Sequence, residues 1–307
     1  MPPSRHFHNA SLRAAAAAGA TAALLLGACG GGGSGGSASV EESLGVTSAG
    51  LLQRQGQVEA EIRDCMRAQG FEYVPVDPAA RRTALVGGAN LSEADFEKQY
   101  GYGITTLYEQ RQAQAAGGPN VVIRAALPPA QRTAYDRALF GANVGVTFDV
   151  AFEQDLQGQL GGCTKEATEK VFGGPEVLQT ITAKLAEFDQ RIVADPRMVK
   201  AIVAWSGCMR TGGFDLANPE QVDATLTRKL ERIVGPPDRA AALSPGAAPS
   251  YDKAALAALQ REEVAMVAAD IACERRHISP VEDKVRGEYE RAFREQNAPL
   301  LTRVPRP

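Results

Sequence analysis

Histidine is nearly missing from this chain. Three occur; His6 and His8 fall in the first ten residues, and the third is His277. Most acid–base and many metal-binding designs depend on histidine. A Ser-His-Asp or Cys-His site would have to use His277, and no G-x-S-x-G stretch offers it a nucleophile. Cys273 and His277 lie four apart and could face one ion, but a second pair of ligands is missing, so no metal and no cofactor is expected. C-x-x-C and C-x-x-C-H are absent, which removes the common redox and haem motifs, and no phosphate-cradling glycine loop precedes a helix with a suitable lysine. Aromatic residues make up only 6% and Trp205 is the single tryptophan. Convincing alternating strands are also missing; residues 121–123 and 144–146 are short candidates. No apolar run is long enough to span a bilayer. Charge of either sign is unremarkable, with 33 basic against 36 acidic residues, which argues against nucleic acid as a partner.

Carboxylates are the remaining chemical resource. Glu262, Glu263 and Asp270 fall on one expected helix, Glu153 and Asp155 on another. Paired carboxylates can run glycoside hydrolysis without histidine. On amphipathic helices, however, such residues usually form the solvated face, and the expectation here is a chain that is not an enzyme.

What is present begins with the first thirty residues. Arg5 and Arg13 precede an apolar run, Ala14 to Leu26, too short to cross a membrane but suited to a signal-peptide core. It ends in Leu26-Gly27-Ala28-Cys29, which resembles the lipobox of bacterial prolipoproteins. That resemblance implies cleavage after Ala28, a diacylglyceryl group on the Cys29 sulfur and acylation (a palmitate-type chain) of the new amine. Two or more chains give a stable anchor, at ~0.8 kcal/mol per buried CH₂. Residues 30–39, GGGGSGGSAS, read as a flexible tether. Residues 1–28 are thus expected to be removed and 29–50 to form the lipidated, tethered lead-in, with a reach of roughly 25 Å.

The folded part is organised around a phrase that occurs twice: CMRAQGF at 65–71 and CMRTGGF at 208–214. In the first copy Val58, Ile62, Cys65 and Met66 recur at helical spacing. Gly70 supplies a left-handed residue that ends the helix, and Phe71 packs back on the last turn. In the second, Asp195 caps, Pro196 takes the first helical position and Trp205 stands where Ile62 does. Arg67 and Arg210 either hold an anion or are solvated charges near a helix C-terminus, the latter being favoured. Setting Cys29 aside leaves four cysteines, an even number that in an exported chain means two bridges. The repetition suggests Cys65–Cys163 and Cys208–Cys273. Cys65–Cys208 with Cys163–Cys273 remains an allowed rival.

Helix signals dominate the rest. Ser92 with Asp95 and Phe96 opens a helix that stops at Tyr100-Gly101-Tyr102-Gly103; the two tyrosines are packed rings or a stacking contact. Residues 75–90 and 112–120 read as breaks, and 148–172 as one helix carrying Leu156, Leu160, Cys163 and Ala167. Helices are expected over 129–140, 175–193 and up to 234, followed by a Pro/Ala linker at 236–250. Ser250 then caps a long helix to Arg276, and Ser279-Pro280 opens the last. The expected fold is mainly α: two disulfide-stapled helical units, 51–174 and 175–307, packed together. The lipobox, the paired CMxxxGF phrases, residues 100–104 and Trp205 to Met209 resemble lipoproteins of high-GC Gram-positive bacteria. That likeness implies location and disulfides but no activity.

These readings converge on a non-catalytic lipoprotein, anchored on the extracytoplasmic face of a cell membrane and contacting envelope partners. The alternative is a binding module for a small ligand or peptide, with Tyr100, Tyr102 and Trp205 as its contacts.

Overall fold

A computed structural model describes residues 48–89, 91–153, 156–235 and 250–301. The stretches read as signal segment and tether, Cys29, and most of the expected Pro/Ala linker lie outside the described residues. Every regular element within them is helical. In chain order these are α1 (Ser48–Ala68), α2 (Pro78–Leu85), α3 (Glu93–Tyr100), α4 (Tyr108–Gly117), α5 (Pro119–Ala126), α6 (Pro129–Phe140) and α7 (Phe148–Glu153). A 3₁₀ turn (Gln157–Gln159), α8 (Gly162–Phe172), α9 (Pro175–Val193), α10 (Pro196–Thr211) and α11 (Glu220–Val234) follow. The chain continues with α12 (Lys253–His277), α13 (Ser279–Gln296) and α14 (Ala298–Leu301).

Both repeated phrases end their helices in the same way. The Phe71 N–H donates to the Met66 carbonyl at 2.9 Å and Gly70 N–H to Arg67 at 3.0 Å. Phe214 donates to Met209 at 2.9 Å and Gly213 to Arg210 at 3.1 Å. This paired 6→1 and 5→2 pattern closes on a left-handed residue, which is why Gly70 (φ 82°) and Gly213 (φ 92°) stand there. The methionine of each phrase is fully buried. The arginines are turned outward, Arg67 to Asp64 and Arg210 to Asp215, as solvated pairs.

Two large apolar cores result, with a small third cluster of Val146, Ala151 and Leu160. The first gathers Val58, Ile62 and Met66 of α1 with Tyr135, Leu139 and Phe140 of α6 and Ala167, Val171 and Phe172 of α8. The second gathers Phe188 of α9, Trp205 and Met209 of α10, Leu226 and Leu230 of α11, Leu259 and Met266 of α12 and Phe293 of α13. Each contains a disulfide across one of its main helix pairs: Cys65–Cys163 joins α1 to α8 with Cα atoms 5.5 Å apart, and Cys208–Cys273 joins α10 to α12 at 5.8 Å. The sequential pairing is therefore the one present, although the two partners are not equivalent. Cys163 lies in the first turn of α8, whereas Cys273 lies near the end of α12.

Packing crosses the boundary expected between residues 174 and 175. Leu178 of α9 belongs to the first core while Ile181 and Phe188 of the same helix belong to the second, and Tyr102, Ile104 and Tyr108 from the earlier half also enter the second.

Several local readings are corrected. The expected break at 75–90 contains α2, because Asp77 accepts from the Ala79 and Ala80 N–H groups and Pro78 takes the first helical position. The break at 112–120 is helical on both sides of Gly118, and residues 121–123 lie within α5 rather than a strand. Residues 144–146 fall in a turn. The single helix expected over 148–172 is interrupted before α8. The reason is steric: a Cβ on Gly162 (φ +53°) would meet the Ala138 carbonyl at 2.3 Å, and one on Gly161 the Phe140 carbonyl at 2.5 Å. The two glycines let α8 start against the end of α6, where the Thr164 hydroxyl donates to the Leu139 carbonyl. The cap of α12 is Asp252, not Ser250.

Arg54 adds a link that has no sequence signal. It is buried, donates to the Val171 carbonyl at 2.9 Å in the last turn of α8, and lies over the Phe172 ring. The disulfides close separations of 98 and 65 residues, each nominally worth about 4–5 kcal/mol in the chain-entropy model. Cys65→Ser is expected to leave one titratable thiol, Cys163, with Cys208–Cys273 still oxidised. Thiol titration with peptide mapping reads this directly.

Candidate functional site

The residues that converge do so on the inner face of α12. Ser92 caps α3 by accepting the Asp95 N–H at 3.1 Å, and the helix stops at Gly101. Gly101 has φ +62°, and a Cβ there would lie 2.9 Å from Glu263 Cγ, so a side chain is excluded twice over. The following turn, 101–107, is inward-facing except for a half-buried Thr106. Its backbone N–H groups need acceptors, and Glu263 supplies them. The carboxylate accepts from Ile104 N–H (2.7 Å), Thr105 N–H (2.7 Å), Thr106 N–H (3.0 Å) and the Thr105 hydroxyl (2.6 Å). Gln260 donates to the Thr105 carbonyl at 3.2 Å, and the Arg111 guanidinium donates to the Gly103 carbonyl.

Two turns further along α12, Asp270 is fully buried. It accepts the Tyr102 hydroxyl at 2.6 Å on one oxygen and the Trp205 indole N–H at 2.9 Å on the other. Two of the three aromatic residues singled out in the sequence thus meet on one carboxylate. Both rings are closed off from solvent, with exposures of 6% for Tyr102 and 0% for Trp205. They hold the turn against α10 and α12. Tyr100 is elsewhere: its ring packs on Phe96 at 5.4 Å and its hydroxyl accepts from Gln99.

Glu274 lies one turn beyond Asp270, and Asp223 approaches from α11. Glu274 Oε1 and Asp223 Oδ1 are buried and have no hydrogen-bond partner. Burial pushes the Asp223 carboxyl up to about 7, reinforced by the charges of Asp270 and Glu263. Burial also raises Asp270, against the two hydrogen bonds that favour its charged form. Glu274 is raised well above the usual carboxylate range by burial, then by Asp270, Glu282 and Asp223. The Tyr102 phenol is pushed up by burial and by Asp270. On α13, Glu282 is raised to about 7 by burial, against the lowering effect of Arg286, which lies 3.7 Å from it and also pairs with Asp189 at 3.0 Å.

The solvated face expected for Glu263 and Asp270 is therefore incorrect. They stand at 263 and 270, in phase with Leu259, Met266 and Cys273, a spacing that places them on the apolar side of the helix. Glu262 does reach the surface, where it pairs with Lys229. Of the second pair, Asp155 lies outside the described residues. Among the described residues no group of three or more histidine, cysteine or acidic side chains could hold a metal ion. A surface cavity of about 550 Å³ lies apart, lined by Thr133, Asp136, Arg137, Gly141, Ala142 and Val144. It shares no residue with the carboxylates.

Compared with known proteins, the chain matches no family model, no curated sequence and no solved structure.

Chemically, the arrangement can hold a turn and bind protons, with Glu263, Asp270 and Glu274 buried. Glu263→Ala is expected to strand three backbone donors and cost about 3 kcal/mol or more. Trp205→Phe, which keeps the ring volume closer but leaves Asp270 short of a donor, should cost about 1–3 kcal/mol. Equilibrium urea unfolding followed by circular dichroism distinguishes these losses from a neutral exchange.

Proposed function

We propose that this chain is a non-catalytic lipoprotein, held on the extracytoplasmic face of a cell membrane by acyl chains on Cys29 and acting through contacts with envelope partners. The observation that carries the reading is the cysteine account. The four cysteines of the helical body are consumed in two disulfides, and an even, fully paired set suits an oxidising compartment. Cys29 is left over, directly after the small residues Gly27-Ala28 and an apolar run. A pair of structural disulfides and a separate lipobox cysteine answer to the same location. The glycine-rich stretch that follows Cys29 would let the body stand clear of the bilayer.

The non-catalytic part of the reading is supported by where the acids go. Glu263 and Asp270, the carboxylates best placed by spacing to act together, are occupied with backbone, phenol and indole donors. For partner contacts, α10 offers Val199 and Val203 one turn apart, 48% and 68% exposed, next to the exposed Ala204 and Gly207.

Cys29→Ala is expected to move the protein from the membrane fraction to the soluble fraction while leaving its melting temperature unchanged, because neither disulfide of the helical body uses Cys29. Fractionation with a parallel thermal melt tests both halves. A variant retained in membranes would mean that another segment binds lipid. Crosslinking of intact envelopes should recover a reproducible partner with the Cys29 form and lose it with Val203→Asp.

A further inference from the structure

The second core contains more acid than its hydrogen bonding requires. Glu263 and Asp270 are fully engaged, but Glu274, 2% exposed, and Asp223 each keep one buried oxygen without a partner. A buried carboxylate oxygen with nothing to accept from is costly when ionised and tolerable when protonated. We propose that Asp223 and Glu274, set against the charge of Asp270, form a proton-binding core that tightens the protein in mildly acidic surroundings and loosens it as the medium becomes neutral to alkaline.

Element by element, the side chains named around the three groups are acids or neutral donors, although Asp223 lies in the first turn of α11, where the helix N-terminus favours its charge. α12 contributes Glu263, already bound to the turn, and Gln260. α11 contributes Asp223 itself; its Lys229 is at the surface with Glu262. From α10 comes the neutral Trp205 donor, while Arg210 points away to Asp215. The α3 side adds the Tyr102 hydroxyl and the charge of Glu97, which acts unfavourably on both Asp270 and Glu274. Arg111 is directed at the Gly103 carbonyl. α13 adds another acid, Glu282, whose neighbouring cation Arg286 pairs with Asp189. Ionising the three groups together would therefore put like charges on two buried carboxyls, Asp270 and Glu274, and on the half-buried Asp223, one of whose oxygens is buried without a partner.

The direction of the pH effect follows. Unfolded, these carboxyls release their protons near pH 4; folded, they hold them to about 7 for Asp223, and burial raises the other two in the same sense. Groups raised on folding give stability that is fully present below the unfolded value and is lost as pH rises through the folded one. The window is roughly pH 4 to 7. Asp195, held low by its hydrogen bonds to Arg197, works in the opposite sense, but only below about pH 4.

The test is thermal and urea unfolding of the intact chain between pH 5 and pH 8. It is read by circular dichroism and by the emission of Trp205, the only tryptophan, which donates to Asp270. The folding equilibrium constant is expected to fall by up to about tenfold per pH unit for each proton held, with a melting temperature lower at pH 8 than at pH 5. Glu274→Gln and Asp223→Asn should each flatten that slope and raise the melting temperature at pH 8, whereas Glu220→Gln, on the exposed start of α11, should leave it intact. A wild-type melting temperature that is level or rises from pH 5 to pH 8 overturns the proposal, and this outcome needs no variant to fold. A slope unchanged in both core variants overturns it equally.

Discussion

One carboxylate anchors a turn from the first half of this protein onto the second. Glu263 accepts from three consecutive backbone N–H groups and one hydroxyl in the turn after α3. A buried turn without such an acceptor would leave several donors unpaired, at roughly 1–3 kcal/mol each. The constraint propagates outward. The turn must pass close to α12, so Gly101 must lack a side chain; Tyr102 then points at Asp270, and Trp205 of α10 completes the same carboxylate. The segment from 101 to 108 therefore belongs to the second core although it precedes the first disulfide partner Cys163 in the chain. Two stapled units exist as apolar cores, but they are laced together by a turn from one and by α9, which faces both.

The repeated phrase shows how far an internal resemblance can be trusted. Its local content is reproduced in both copies: a buried methionine, a left-handed glycine, a phenylalanine whose N–H reaches back five residues, and a cysteine one turn from the end. These are properties of seven residues and need no knowledge of what lies around them. The partner of each cysteine is a different matter. Cys163 is at the start of an 11-residue helix and Cys273 near the end of a 25-residue one. The same pairing order is reached through helices that do not correspond, so the repetition identified the right bond through an equivalence that the partner helices lack.

Legibility in the sequence follows the range of the interactions. Pro175, Asp195-Pro196 and Ser279-Pro280 mark helix starts by local chemistry, and each starts a helix here. The all-helical class was legible for the same reason. Asp77-Pro78 carried the same signal inside a stretch whose prolines, glycines and arginines read as loop. The interruption at Gly161-Gly162 was not legible, because it answers to the carbonyls of Ala138 and Phe140, some twenty residues earlier. The carboxylates of α12 lie between these extremes. Their phase with Leu259 and Met266 was visible, but burying an acid is unfavourable unless donors await it, and the donors come from residues 102–106 and from Trp205. Periodicity could say which side of α12 they occupy and could not supply their partners.

The Cys208–Cys273 bridge stands among the acids of α12, Cys273 being flanked in sequence by Asp270 and Glu274. Bridge and acids act in opposite directions. The bridge ties α12 to α10 whatever the state of the carboxyls, so mutual repulsion among the acids cannot separate those two helices. It can act only on what the bridge does not hold: α11, which brings Asp223, and the turn that brings Tyr102. Neither is covalently tied to α12: α11 is held by apolar contacts and the Lys229–Glu262 ion pair, the turn by hydrogen bonds. A stapled pair of helices with two unstapled neighbours therefore separates rigidity from responsiveness within a single core. Covalent strength lies along α10–α12, and whatever yields to charge lies on either side of it.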